Sequence, residues 1–127
     1  MGIVGSSNNV TLTRVASGDL PQYRFVRQSA TKDVYLASSG VSILGVSYGS
    51  NVRDNDHATV ILDGVTKICL SQSLGAGVEV ISDANGFAQR AVALANSGSV
   101  VGSGTIAGFL ISSANSGSIA EMIIARR

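Results

Sequence analysis

Residues 74–125 place the tightest limits on what this chain can fold into. They carry three short apolar runs, residues 78–81, 106–111 and 119–124, separated by Gly, Asn and Ser. Runs of this length suit strands, and the first two are rich in β-branched or aromatic residues. The separators punctuate a chain rather than fill a core. Asp83-Ala84-Asn85-Gly86 reads as a tight reversal, because Asn-Gly supplies the positive φ angles of a two-residue hairpin turn. Residues 78–82 are therefore expected to pair with Phe87 and Ala88. Nothing in this stretch suggests a reaction, so function is sought in surfaces.

The remainder of the chain repeats the theme. Residues 10–15 alternate apolar and polar, the mark of a half-buried strand, and Ser17-Gly18-Asp19 ends it. Pro21, the single proline, fits the start of a strand or an edge, where its missing N–H costs nothing. Residues 23–27 alternate again, with Tyr23 and Phe25 on one face. Residues 33–37 and 41–48 are further strands. Gly45, inside the second, implies a bulge or a close backbone approach. Residues 58–62 and 65–70 flank Asp63-Gly64 and read as a hairpin. Residues 88–95 suit either a strand or a short helix, since alanine favours helix, and 96–104 are a loop. Turn signals about every ten residues predict an all-β fold: a small single-domain β-barrel or sandwich of short antiparallel strands over residues 10–127. Residues 1–9 form a flexible N-terminal arm in which Met1, Ile3 and Val4 are the sizeable apolar side chains. No repeat is exact enough to predict a solenoid.

Composition narrows the function. A chain of 127 residues with 45% hydrophobic residues can bury a core without disulfides. Only 13% of residues are charged and the net charge is +1, against about a quarter charged in an ordinary domain. Such a surface repels its own copies weakly and lacks the clustered Lys and Arg that phosphate backbones require. Nucleic acid is not an expected partner. No run approaches the roughly 20 apolar residues of a membrane span. The first residues lack the basic start and long apolar centre of a signal peptide. Gly2 with Ser6 matches a myristoylation pattern only loosely, with no basic cluster beside it.

Candidate chemistry is sparse. Cys69, the single cysteine, lies in an apolar run and reads as a small buried hydrophobe; as a nucleophile it would need His57, the single histidine, as its base. Asp54, Asp56 and His57 share Asp-x-Asp with calcium loops, but the closing Gly and Glu do not follow, so a solvated loop is expected. No catalytic residue, cofactor or metal is assigned, and the chain is not expected to be an enzyme.

The order of these signals resembles the small capsid decoration (cement) proteins of tailed bacteriophages. The residues that carry the likeness are Ser17-Gly18-Asp19, Asp63-Gly64-Val65, the segment Gly77-Val78-Glu79-Val80-Ile81-Ser82-Asp83-Ala84-Asn85-Gly86, and the closing runs Ala107-Gly108-Phe109-Leu110-Ile111 and Ser116-Gly117-Ser118-Ile119-Ala120-Glu121-Met122-Ile123-Ile124. The chain departs from the family pattern in its polar residues 96–104 and its weakly charged last strand. The resemblance implies a virion protein on the outer surface of the assembled head. It would sit there as a homotrimer at three-fold and local three-fold positions, with the major capsid protein and itself as partners. Such a protein would be made in the bacterial host cytoplasm. Met1, Ile3, Val4, Tyr23 and Phe25 are then the candidate subunit or capsid contacts, with an ordinary core position as the other reading of Tyr23 and Phe25. Two other readings are another structural virion β-protein (a tail-tube, fibre or minor capsid subunit) and a ligand-binding β-barrel. The second suits a chain with no Trp and three Tyr poorly.

Overall fold

A computed structural model describes residues 10–39, 41–49, 51–91 and 106–125. They form nine strands: β1 (Val10–Val15), β2 (Phe25–Gln28), β3 (Val34–Leu36), β4 (Gly45–Ser47), β5 (His57–Cys69), β6 (Glu79–Ser82), β7 (Ala88–Arg90), β8 (Gly108–Leu110) and β9 (Ile119–Ile124). The sheet order is β3-β2-β4-β5-β9-β8-β6-β7, with β1 also on β5 and every strand pair antiparallel. The all-β class expected from the turn signals is what the chain adopts.

The central strand corrects the sequence reading. Asp63-Gly64 is not a hairpin turn, because β5 passes straight through it for 13 residues. Its two halves pair with different neighbours instead of with each other. Residues 57–63 lie against β1, with Ile61 and Val60 also against β4, and residues 64–69 lie against β9. Gly64 takes φ 102°, the Asp63 carboxylate accepts its N–H at 2.9 Å, and the register with β1 slips between Val10 and Thr11. The glycine is thus used for an irregularity within a strand, one of its ordinary roles.

Around β5 the molecule is built twice. β1, β2, β3, β4 and the first half of β5 form one unit; the second half of β5, β6, β7, β8 and β9 form the other. Val26 pairs with Gly45 in the first and Val80 with Gly108 in the second. Ala16 bridges Val34 in parallel, and Leu70 bridges Ala88; Leu20 bridges Val52, and Leu74 bridges Ala114. Positive φ falls at Tyr23, Lys32 and Asn55 in the first unit and at the corresponding Gly77, Gly86 and Gly117 in the second. The parallel bridge joins the edge strands of each unit, so each five-stranded sheet curls into a small barrel. Few residues are identical between units, Leu20/Leu74, Val26/Val80, Gly45/Gly108, Ala58/Ala120 and Ile61/Ile123 among them. That is why the duplication is invisible as a sequence repeat.

Each barrel is filled by alternate residues of its strands. The first holds Ala16, Leu20, Val26, Val34, Ala58 and Val60. The second holds Leu70, Leu74, Val80, Ala88, Leu110, Ala120 and Met122, and its core runs on without a break to Phe25, Val46 and Ile61, on the outer side of the first barrel. This contact joins the units. Fully burying Phe25 contributes about 2–3 kcal/mol. The Asp83–Phe87 turn of the second unit reinforces it: Phe25 N–H donates to the Gly86 carbonyl at 2.8 Å, and Cys69 N–H donates to the Tyr23 carbonyl at 2.9 Å.

Other local expectations shift in detail. Tyr23 stands before β2 with φ 56° rather than within a strand. The Asn85-Gly86 reversal is a wider loop in which Gly86 alone takes positive φ, Asp83 and Phe87 close it (2.8 Å), and β6 pairs with β7 from Ser82–Ala88 onward. Pro21 lies outside the strands, just after the Leu20 bridge.

Gly45 is no bulge but a close approach: a Cβ there would run into the Ile61 carbonyl oxygen, and one at Gly108 into the Ile123 carbonyl oxygen. Gly45→Ala and Gly108→Ala should each lower stability by an amount at the upper end of roughly 1–3 kcal/mol. Gly49→Ala, with positive φ but open space around it, should cost only about 1 kcal/mol. Urea unfolding midpoints of the three variants check the order.

Candidate interaction face

The residues singled out for chemistry are dispersed by the fold. His57 opens β5 and Cys69 closes it. At about 3.3 Å per residue they stand roughly 40 Å apart, so no Cys–His pair forms. Cys69 is half-buried, with Sγ 3.6 Å from the Gln22 carbonyl oxygen. The 54–57 loop uses its carboxylates on the backbone. Asp54 Oδ1 accepts the Gly18 N–H at 2.7 Å, and Asp19 Oδ1 accepts the Asp54 N–H at 3.0 Å. This exchange latches the loop after β1 to the loop before β5, and it gives both halves of Ser17-Gly18-Asp19 a structural task. Among the described residues no group of three His, Cys, Asp or Glu could hold a metal ion.

The predicted contact residues separate as well. Phe25 is fully buried where the two units meet. Tyr23 is half-buried, edge-on to Tyr48 with ring centroids 6.3 Å apart. Met1, Ile3 and Val4 lie outside the described residues. Arg24, which was not singled out from sequence, holds the inter-unit turn. Its guanidinium lies 3.5 Å from the centre of the Phe87 ring and donates to the Asn85 carbonyl at 3.0 Å. The Asp83 carboxylate holds the same turn from inside, accepting the Asn85 and Phe87 N–H groups at 2.8 and 2.9 Å.

What the sequence did not disclose is a continuous apolar surface on the second barrel. Val65, Phe109 and Ile119 are exposed and point outward from β5, β8 and β9, and Ile111, also exposed, follows β8 with its N–H on the Glu121 carbonyl. At one corner, Gly77, Val78, Glu79, Arg90, Gly108 and Phe109 line an open cleft of about 660 Å³. The matching corner of the first barrel is the Phe25–Val46–Ile61 row that the second unit covers. The signal lay in the outward positions of β5, β8 and β9 reading as apolar as the inward ones. Without the strand directions, the two sides could not be told apart.

Comparison with known proteins places the fold. A scan against protein-family models finds no match, and a search of curated proteins finds none. Solved structures do match. One is the N base of the head fiber gp8.5 of bacteriophage phi29, with a TM-score of 0.69 and 16% sequence identity, over 92% of this chain and 94% of that one. At that identity the likeness establishes a shared fold across nearly the whole of both chains.

Asp83→Ala should lower stability by about 1 kcal/mol, since one part-buried and one exposed turn amide lose their acceptor, and Asp54→Ala, on the wholly exposed latch, by less. Thermal unfolding of the two variants checks the ranking.

Proposed function

We propose that this chain is a structural protein of a tailed-phage virion that binds the outer surface of the assembled head and stabilises the shell as a decoration protein. The observation that carries this reading is the fold shared with a phage head fiber base over nearly the whole chain. The sequence resemblance to capsid decoration proteins supports it independently. The physics suits the role. A clamp needs no reaction centre; it needs a rigid scaffold and surfaces that gain buried area only on the lattice. Binding the assembled shell and not its free subunits then shifts the equilibrium toward assembly, and many copies add their effects. A surface poor in charge packs closely without burying unpaired ions. In this reading the major capsid protein is the partner, three copies meet at three-fold and local three-fold positions, and the chain performs no catalysis.

The likeness to a head fiber base favours a second reading: the chain is the head-attached base of a fibre. Both readings place it on the head and differ in what it carries and where it sits.

Purified chain should co-sediment with mature heads of its own phage at near-stoichiometric copy number, and added chain should raise the temperature at which the heads release their contents. Absence of binding to mature heads would remove both readings. Electron microscopy of saturated heads separates them, with density at all three-fold positions for decoration and at a sparse subset for a fibre base. Removing residues 1–9 should weaken head binding, by a measured rise in dissociation constant, if the arm with Met1, Ile3 and Val4 contributes contacts.

A further inference from the structure

The internal duplication provides a control for the apolar face of the second barrel, because the same positions exist in the first. Val65 corresponds to Thr11, Ile119 to His57, Ile111 to Tyr48 and Lys67 to Thr13, from the equivalent registers of β5 with β1 and of β9 with β5. The first barrel folds with Thr and His at places where the second carries Val and Ile. The fold therefore does not demand apolar side chains at Val65 and Ile119, whereas Ile111 answers to the likewise exposed Tyr48. Yet Val65 is 44% exposed, Ile119 42%, Ile111 41% and Phe109 36%, and these are four of the six large apolar residues exposed among the described ones. A neutral-surfaced monomer gains nothing from such a concentration, and contiguous exposed apolar area marks an interaction site.

Two further observations identify the occupant. First, the corner of the first barrel equivalent to Phe109 and Ile123, namely Val46 and Ile61, is already covered, and what covers it is the other copy of the same structural unit. In the first barrel this outer row meets the core side of the other unit, so the position is one that takes an apolar protein contact within this fold. Second, the charges in the middle of the face are self-complementary. Lys67 and Glu121 are exposed and directly opposite each other across the β5–β9 ladder, about 5 Å apart at Cβ. A face that carries one cation beside one anion, ringed by apolar side chains, matches itself: a second copy presents Glu121 to Lys67 and Lys67 to Glu121.

We propose that the outer face of the second barrel, centred on Val65, Lys67, Phe109, Ile119 and Glu121, is where a second copy of this chain docks. Each Lys67 lies against the partner copy's carboxylate at that face. The proposal adds a two-fold contact, in which the same patch meets itself, to the three-fold contact of the reading above, and it is tested without heads, so its failure is distinguishable from failure of head binding.

The test is the solution mass of the purified chain by native mass spectrometry and light scattering at micromolar concentrations. The wild-type chain is expected to be a dimer or larger. Val65→Thr with Ile119→His, which installs the residues the first unit tolerates, should raise the dissociation constant at least about tenfold, a loss of about 1.4 kcal/mol, with the unfolding midpoint of the monomer little changed. K67E alone and E121K alone should each dissociate, and an equimolar mixture of the two should reassemble, because an all-acidic face then meets an all-basic one. If Val65→Thr with Ile119→His fails to fold, the mixing experiment decides by itself. A wild-type chain that stays monomeric overturns the proposal. So does an oligomer whose mass neither the double substitution nor the charge reversals alter. A monomer whose head binding is abolished by Val65→Thr with Ile119→His also overturns it, and would assign the face to the shell.

Discussion

Strand β5 carries backbone hydrogen bonds for both halves of the molecule. Residues 57–63 close the first barrel and residues 64–69 open the second. Neither half is complete without it: residues 57–63 lie between β4 and β1 in the first unit, and residues 64–69 form the edge beside β9 in the second. A covalently continuous 13-residue strand also fixes the two barrels in orientation more tightly than a linker would, because all of it except Leu62, at the register slip, is held in a ladder. The positions of Phe25, Val46 and Ile61 against the second core follow from that. So does the docking of the Asp83–Phe87 turn onto β2, since the same rigid strand determines where the second unit starts.

The duplication explains several local features that look arbitrary one at a time. Tyr23, Lys32 and Asn55 take left-handed backbone angles that non-glycine residues adopt at some cost. Their counterparts are glycines, so the two units hold one backbone path and differ in which side chains they place on it. Gly45 and Gly108 are the opposite case, retained in both units because the adjacent strand's carbonyl leaves no room for a Cβ. The backbone demands are shared, while the outward side chains have diverged: Thr11 and His57 on one barrel, Val65 and Ile119 on the other. The inward side chains differ too, as Ala16/Leu70, Val34/Ala88 and Val60/Met122 do, so the two barrels share a backbone path and differ both in how they are filled and in what they touch.

This arrangement is economical. One small curled sheet, used twice, supplies an inter-unit contact within the chain and leaves an equivalent, differently dressed face on the second copy. The latch between Asp54 and the Gly18 N–H and the Arg24–Phe87 contact then stiffen the ends of the barrels. Polar residues suited to catalysis in another context are committed here to backbone amides and to an aromatic ring.

The strands at residues 10–15 and 119–124 were legible to the residue, because strict alternation and short apolar runs reflect only local burial. The breaks at Gly18, Gly86 and Gly117 were legible for the same local reason, a φ that side chains resist. The use of Asp63-Gly64 was not: a hairpin turn and an in-strand irregularity ask the same of a glycine, and only the partners of the flanking runs choose between them. Phe25 read as a surface candidate because nothing local says that a second barrel will cover it. The apolar face of Val65, Phe109, Ile111 and Ile119 went unseen because inside and outside are defined by how the sheet curls. By itself the sequence determined an all-β chain, most of its strand positions and the turn points other than Asp63-Gly64, all properties of neighbours along the chain. The tertiary structure alone decided that the strands form two copies of one barrel, that Asp63-Gly64 continues β5, and which apolar residues face solvent, since each of these depends on pairings between residues far apart in sequence.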